Sequence, residues 1–333
     1  MNKKKFFQYL FFTAIGIFFL YNFYKDFSHK EFTDTLRTAK LRWIALATLI
    51  HLCNHILRSW RWQILISIKG FPCKVWHTFL GEMAGFLTNL FIPRLGEWTR
   101  CTVMKKLDNV PTKESLSTVV TERFIDFVLF IFLSLIVFII GLATKQRKVI
   151  TLFEQRLSDI PTLLSTKGLL ILCITCIIAL ILIQYAYQTY KAIIAIIYSF
   201  LTIVVESLRS TKEAKLSLTI LTIIIWTSSF LVEYVSFFSL EATSKLGPFP
   251  ALCIFLALVL GIASPIPGNV GTYHYLVFGT LQIFGVPESP ATIYTTITHS
   301  IQTFNALFVG GIATIIASYL KKKEMATIIK STG

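Results

Sequence analysis

Asn89-Leu-Phe-Ile-Pro-Arg-Leu-Gly-Glu-Trp-Thr-Arg100 sets a helix breaker, two arginines and a carboxylate directly behind an apolar run. A second break, Ser264-Pro-Ile-Pro-Gly-Asn-Val-Gly-Thr-Tyr-His274, lies in the other half of the sequence. Around them is a chain of 333 residues, 54% of them hydrophobic, with a mean hydropathy of +0.68. That composition belongs to polytopic membrane proteins. Irregular backbone in hydrocarbon leaves N–H and C=O groups unpaired, so it survives only where protein or a water-filled cavity covers it. The two breaks are therefore the places to look for function.

Working outward, apolar stretches of spanning length run over Phe6–Tyr24, Leu41–Ile66, Val119–Ala143, Gly168–Tyr187, Leu216–Leu240 and Ala291–Tyr319, roughly six crossings of about twenty residues each. Two further runs, Trp76–Ile92 and Ala251–Ala263, each stop at a Pro/Gly break and resume as helices over Leu95–Lys106 and Val270–Phe284. Each such unit is either a full span plus an interfacial helix or a re-entrant hairpin. The hairpin reading puts Arg58, Arg61, Lys69, Lys74, Lys105, Lys106, Lys113, Lys191, Arg209, Lys212, Lys215 and Lys321-Lys322-Lys323 on the cytoplasmic side with Lys3-Lys4-Lys5, as the positive-inside rule asks. It leaves the basic segments Asp26–Lys40 and Lys145–Lys167 outside.

The expected fold is an all-α polytopic membrane protein of about six transmembrane helices plus two broken or re-entrant helical hairpins. Together these form an inverted-topology repeat within one integral membrane domain covering residues 1–333. Its halves are about 1–143 and 144–320, followed by a basic cytoplasmic tail at 321–333, and both termini are expected in the cytoplasm. Tyr187–Lys215 reads as an interfacial amphipathic helix and basic loop. The Lys triplet before Phe6 resembles a signal peptide but lacks a small-residue cleavage site, so a retained first span is expected.

A net charge of +15 comes from basic residues clustered between apolar runs, the pattern of juxtamembrane anchors rather than of nucleic-acid binding. Cys53, Cys73, Cys101, Cys173, Cys176 and Cys253 are scattered, without the spacing of a disulfide framework. Cys173 and Cys176 sit inside an apolar helix, where packing is the expectation rather than zinc. The sequence calls for no metal and no cofactor.

Ionisable residues inside spans are costly and face a bundle interior, a cavity or a partner. His51, His55, Arg58 and Trp62 share one helix face, with Asn54 and Arg61 beside them. Either the arginines snorkel and the histidines bond a neighbouring helix, or the face walls a polar cavity. Glu122 and Asp126 lie at i,i+4 with Arg123 close by. An Arg123–Asp126 pair is expected, leaving Glu122 over. Glu233 sits in an apolar run without a local partner, and Thr295, His299, Gln302, Ala306 and Gly310 form a polar and small seam.

The candidate substrate-binding residues follow from the breaks and these charges: Asn89, Pro93, Arg94, Gly96, Glu97, Arg100, Glu122, Arg123, Asp126, Pro267, Gly268, Asn269, Gly271, His274 and His299. A helix that restarts in the membrane points unpaired N–H groups and a positive dipole end inward, which suits an anionic phosphate. Arg94 and Arg100 match phosphate oxygens in a bidentate way. The bland alternative is that Pro93, Pro265 and Pro267 merely end helices.

At Arg58-Ser-Trp-Arg-Trp62, Asn89–Arg100, Thr118-Val-Val-Thr-Glu-Arg-Phe-Ile-Asp126 and Pro265-Ile-Pro-Gly-Asn-Val-Gly-Thr-Tyr-His274, the chain resembles the lysylphosphatidylglycerol synthase transmembrane-region family, the flippase-like UPF0104 group. That family's last motif often carries Gly-Gly and a later Glu, where this chain has Gly268-Asn269 and His274. The resemblance implies an integral protein of a bacterial inner (plasma) membrane that translocates, or takes part in modifying, a phospholipid or glycolipid. In the lysyl-lipid synthases a similar domain is fused to an aminoacyl-transfer domain. This chain ends at Gly333 soon after its last span, so it is expected not to make the lysyl-lipid itself.

The leading expectation is a carrier for an anionic or zwitterionic headgroup, passive or ion-coupled because no ATP-binding motif is present. A non-transporting partner of a lipid-modifying enzyme is the alternative. An intramembrane transferase using Glu97, Glu122 and His274 is the third reading, without a G-x-S-x-G nucleophile motif to support it. Oligomeric state leaves no mark in the sequence.

Overall fold

The computed structural model describes residues 37–143 and 212–332 apart from position 265, together with positions 21 and 33. The expected spans Phe6–Tyr24 and Gly168–Tyr187, the cysteine pair at 173 and 176, and the amphipathic segment up to position 211 lie outside the described residues. Within them every regular element is helical: α1 (Leu41–Ile68), α2 (Val75–Phe91), α3 (Gly96–Leu107), α4 (Thr112–Ala143), α5 (Lys212–Phe237), a single turn α6 (Glu241–Ser244), α7 (Pro248–Ile262), a 3-10 turn (Pro267–Asn269), α8 (Thr272–Ile283) and α9 (Glu288–Thr332).

Three of the described helices are long and apolar enough to cross a membrane, over Thr112–Gly141, Ala214–Phe237 and Glu288–Leu320. α1 has 28 residues, about 42 Å of helix, but it carries Arg42, Arg58 and Arg61 and so is less apolar. The helices of the broken units are shorter, with 17 and 12 residues in α2 and α3 and 15 and 12 in α7 and α8. A 12-residue helix is about 18 Å long, well short of the roughly 30 Å hydrocarbon layer. Neither α3 nor α8 can cross alone.

Each broken unit folds back on itself. His77 in the first turn of α2 donates from Nδ1 to Asp108 Oδ1 at the end of α3, 2.8 Å away, so the two feet of hairpin α2–α3 stand together. The turn between them is made by Pro93 and by Arg94, whose φ of 62° lies in the left-handed region, unusual for a residue with a β-carbon. Hairpin α7–α8 turns through Gly268, Asn269 and Gly271 at φ of 59°, 56° and 89°. Glycine fits two of those positions without a steric penalty.

Small residues let the hairpin arms touch. A Cβ placed on Gly85 would lie 2.7 Å from Gly96 O, and one on Gly81 would lie 3.3 Å from Arg100 O. In the other hairpin a Cβ on Gly261 would come within 3.1 Å of Tyr273 Cα. Gly81-x-x-x-Gly85 is thus a small-xxx-small contact face used within one chain.

The two hairpins stand at opposite ends of α1. The feet of α2–α3 follow directly from the C-terminus of α1, and the Lys40 N–H, at its start, donates to Ser239 O just beyond α5 at 2.9 Å. That second end carries the feet of α7–α8. α1 and α5 pack along their length, tied by Asn54 Nδ2 to Ile225 O, Ser228 Oγ and Ser229 Oγ at 2.8, 2.7 and 2.9 Å. The packing order α1–α2–α3–α4 in the first half is matched by α5–α7–α8–α9 in the second. The main apolar core, including Phe237, Leu240, Ile254, Tyr273, Val277 and Tyr294, gathers α5, α7, α8 and α9 around the start of α1.

Candidate functional site

The hairpin tips meet through Arg94 and Ala263, both of them exposed. Arg94 Nη2 donates to Ala263 O at 3.0 Å, and a Cβ on Gly268 would lie 3.0 Å from Leu90 Cδ1. The first tip is stiffened by Asn89, whose Oδ1 accepts the Gly96 N–H at 2.7 Å and so caps α3. The second is held by His299, which donates from Nε2 to Gly268 O at 2.9 Å. His274 lies beside it, with ring centroids 4.6 Å apart, and its Nδ1 is 3.4 Å from the Gly271 N–H. Asn89, Pro93, Arg94, Gly96, Pro267, Gly268, Asn269, Gly271, His274 and His299 therefore gather at one junction, although they come from opposite halves of the chain.

Arg100, Glu122 and Asp126 belong to a different arrangement, one helical turn and more behind the first tip. Arg61 forms a bidentate pair with Asp126, 2.9 Å from Nη1 to Oδ1 and 3.0 Å from Nη2 to Oδ2. Its Nε lies 3.6 Å from Glu122 Oε1. Glu122 pairs with Arg100, and Arg100 pairs with Glu82. Glu82 Oε1 lies 3.5 Å from Arg58 Nε, and Arg58 Nη2 lies 3.9 Å from Asp126 Oδ2. The six side chains close into a ring of alternating charge drawn from α1, α2, α3 and α4.

Three guanidinium groups against three carboxylates leave the ring formally neutral. This is the form in which buried charges persist, because each has opposite neighbours and hydrogen bonds to offset its lost hydration. Trp62 stacks under Arg100 with its ring 4.2 Å from the guanidinium carbon, a cation–π contact. Trp226 Nε1 donates to Asp126 Oδ1 at 3.2 Å. Arg61 is 0% exposed, so it does not snorkel. The ring is open only at the Arg58–Asp126 edge, where the side chains are 22% and 18% exposed.

Two expectations change here, and one residue of the ring is new. Asp126 pairs with Arg61 rather than with Arg123, which lies exposed on α4, because α1 packs against that face of α4 and brings a fork that fits both oxygens. Glu122 is not left over, since it bridges Arg61 and Arg100. Glu82 stands out in neither motif, yet it closes the ring. Its only sequence signal is a carboxylate inside the apolar run Val75–Phe91, between the two glycines of the contact face.

Two buried polar atoms on α3 remain without a hydrogen-bond partner: Glu97 Oε2 and Arg100 Nε. They lie one turn apart on a helix that begins at the tip. On α1, His51 accepts from Asn305 Nδ2 at 2.8 Å, while both ring nitrogens of His55 are buried without partners. A polar strip thus runs from the ring through His55 and His51 to Asn305 on α9. A separate groove of about 400 Å³ lies between α3 and α9, lined by Trp98, Thr102, Lys106, Thr314 and Ser318 among others. Among the described residues, no group of three or more His, Cys, Asp or Glu side chains is placed to hold a metal ion.

The family model described as the lysylphosphatidylglycerol synthase TM region matches residues 9–310. The chain is similar to the UPF0104 membrane protein MJ1595 of Methanocaldococcus jannaschii, 31% identical over 102 residues, which cover 30% of this chain and 30% of that relative. The match thus spans less than a third of the relative's own length. No solved structure matches.

Proposed function

We propose, from the premise that this chain belongs to the lysylphosphatidylglycerol synthase TM region family and is an integral membrane protein, that it carries a phospholipid or glycolipid headgroup between leaflets. In this reading α2–α3 and α7–α8 are re-entrant hairpins that enter from opposite faces. The halves then form an inverted-topology repeat. The placement of the hairpins at opposite ends of α1 and the matched packing order of the halves support it. Sites near the midplane, between broken helices, are the usual consequence of such repeats.

The observation that carries the reading is the contact of the two tips, Arg94 Nη2 to Ala263 O at 3.0 Å. An arginine in left-handed backbone conformation, spending a donor on a carbonyl of the opposite hairpin, can exchange that carbonyl for a phosphate oxygen. The exchange separates the tips at the moment the headgroup arrives. The spare acceptor Glu97 Oε2 and spare donor Arg100 Nε, one turn further along α3, suit the amine and the phosphate of a zwitterionic headgroup. The ion-pair ring behind them, with Glu122, Asp126 and nearby Arg123, acts as the rigid polar wall against which hairpin α2–α3 is held.

No bond is made or broken in this scheme, so the protein is read as a carrier rather than an enzyme, with membrane lipids as its partners. It is placed in a plasma membrane with both termini cytoplasmic. Reconstitution into liposomes with a leaflet-specific lipid assay tests the proposal. Arg94→Ala should slow translocation roughly 10- to 100-fold, the factor expected for one charge-assisted hydrogen bond of about 1.5–3 kcal/mol, while Glu97→Gln should slow amine-bearing headgroups most. Unchanged rates in both variants, at equal protein incorporation, would remove the tips from the path.

A further inference from the structure

We propose that Glu233 is the proton-binding site that couples lipid movement to a proton gradient, through a hydroxyl relay leading to the tip of hairpin α7–α8. This deepens the carrier reading and rests on it for the coupled step, but the proton site itself stands on separate geometry. Glu233 is 1% exposed in the C-terminal part of α5, four residues before its end, on one of the spanning helices. No lysine, arginine or histidine among the described residues pairs with it. Its side-chain contact is Tyr294 on α9, whose hydroxyl lies 3.1 Å from Glu233 Oε2 and 2.9 Å from Glu233 O.

That geometry is a proton count. One tyrosine hydroxyl carries one hydrogen, yet it faces two oxygens of the same residue at hydrogen-bond distance. Both contacts are satisfied together when Tyr294 donates to the backbone carbonyl and a protonated Glu233 donates back to the phenol oxygen. An ionised carboxylate would instead lack a counter-ion in a span, where an unpaired charge is costly. The neighbouring α1 and α7 turn Ala47, Ile254 and Leu258 toward this core. The titratable groups that α8 and α9 bring to this cluster are Tyr273, His274, Tyr294 and His299.

The relay continues from Tyr294. Thr298 Oγ1, one turn along α9, donates to Tyr294 O at 3.1 Å and accepts from Tyr273 OH at 2.7 Å. Tyr273 is the second residue of α8, immediately behind the tip, and its ring lies 5.2 Å from that of His299. His299 in turn holds Gly268 at the tip. When the carboxyl releases its proton, the carboxylate needs donors. Tyr294 must turn from the backbone carbonyl to the side chain, and Tyr273 is the next hydroxyl in the cluster. A Tyr273 that leaves Thr298 moves the first turn of α8 and loosens the His299 clamp. One proton taken up from one face and released to the other would thus close and open the second tip once per cycle.

The test uses the full chain in lipid nanodiscs and in proteoliposomes. Infrared difference spectroscopy should show a protonated carboxyl C=O band that is absent in Glu233→Gln, disappears on going from acid to alkaline pH, and shifts in frequency in Tyr294→Phe. In proteoliposomes an imposed pH gradient should accelerate lipid translocation several-fold in the wild-type chain and leave the Glu233→Gln rate unaffected. Absence of a Glu233-dependent acid band at any pH, or a wild-type rate indifferent to the gradient, overturns the proposal. Loss of the band on adding sodium at fixed pH overturns the proton as the coupling ion. A band that titrates in a protein that moves no lipid at all leaves the proton site standing and defeats the carrier reading instead.

Discussion

Arg61→Ala is expected to destabilise the folded protein by roughly 3–5 kcal/mol, the cost of breaking a buried ion pair from one side. The reason is arithmetic. Arg61 serves both Asp126 and Glu122 while 0% exposed. Its removal leaves two guanidinium groups against three carboxylates in a space that water barely reaches. The double change Arg61→Leu with Asp126→Leu restores balance, two charges of each sign, and should recover much of the loss. Thermal unfolding in detergent, arranged as a double-mutant cycle with Arg61→Leu and Asp126→Leu as the single variants, reads the coupling. If the two single losses simply add, the ring is not a unit and its neutrality has no energetic meaning.

Gly96→Val should be comparably severe by a different route. A Cβ on Gly96 would fall 2.6 Å from both Cγ and Nδ2 of Asn89, and it would collide with Gly85 O. One obstacle is backbone, and the other is the side chain that caps α3. Moving Asn89 aside forfeits the hydrogen bond to Gly96 N. Overpacking usually costs about 1–3 kcal/mol, and here the arms of the hairpin must also separate. Gly279→Ala is the matched control, because nothing lies within 4 Å of its Cβ position. It should stabilise α8 slightly, since Ala has the higher helix propensity. A shared fall in melting temperature for both variants would show that the arms are not in the contact described.

The breaks were legible because proline and glycine announce themselves whatever surrounds them. Helix bounds read from the apolar runs lie close to those of α2, α3, α7 and α8. The charges were harder. Spacing within one helix, which sequence shows, points Asp126 at Arg123, whereas its partner Arg61 is 65 positions away and becomes a neighbour only when α1 packs on α4. Glu82 has no local signature at all. Glu233 stood out for the opposite reason, the want of any partner, and the structure supplies a tyrosine from α9 that no periodicity could predict. Helical spacing puts His55 and His51 on one face, but only packing separates a histidine bonded to Asn305 from one whose nitrogens stay bare.

The neutrality of the six-membered ring bears on voltage. An electric field across the bilayer works on net charge that moves through it, at about 2.3 kcal/mol per elementary charge per 100 mV. Three positive and three negative groups that travel as one body contribute no such work. The six ring side chains can therefore shift together during a cycle without themselves drawing on, or being driven by, the membrane potential. Any electrogenic signature should then originate outside the ring, with Arg94 at the moving tip, with the cargo or with the proton at Glu233.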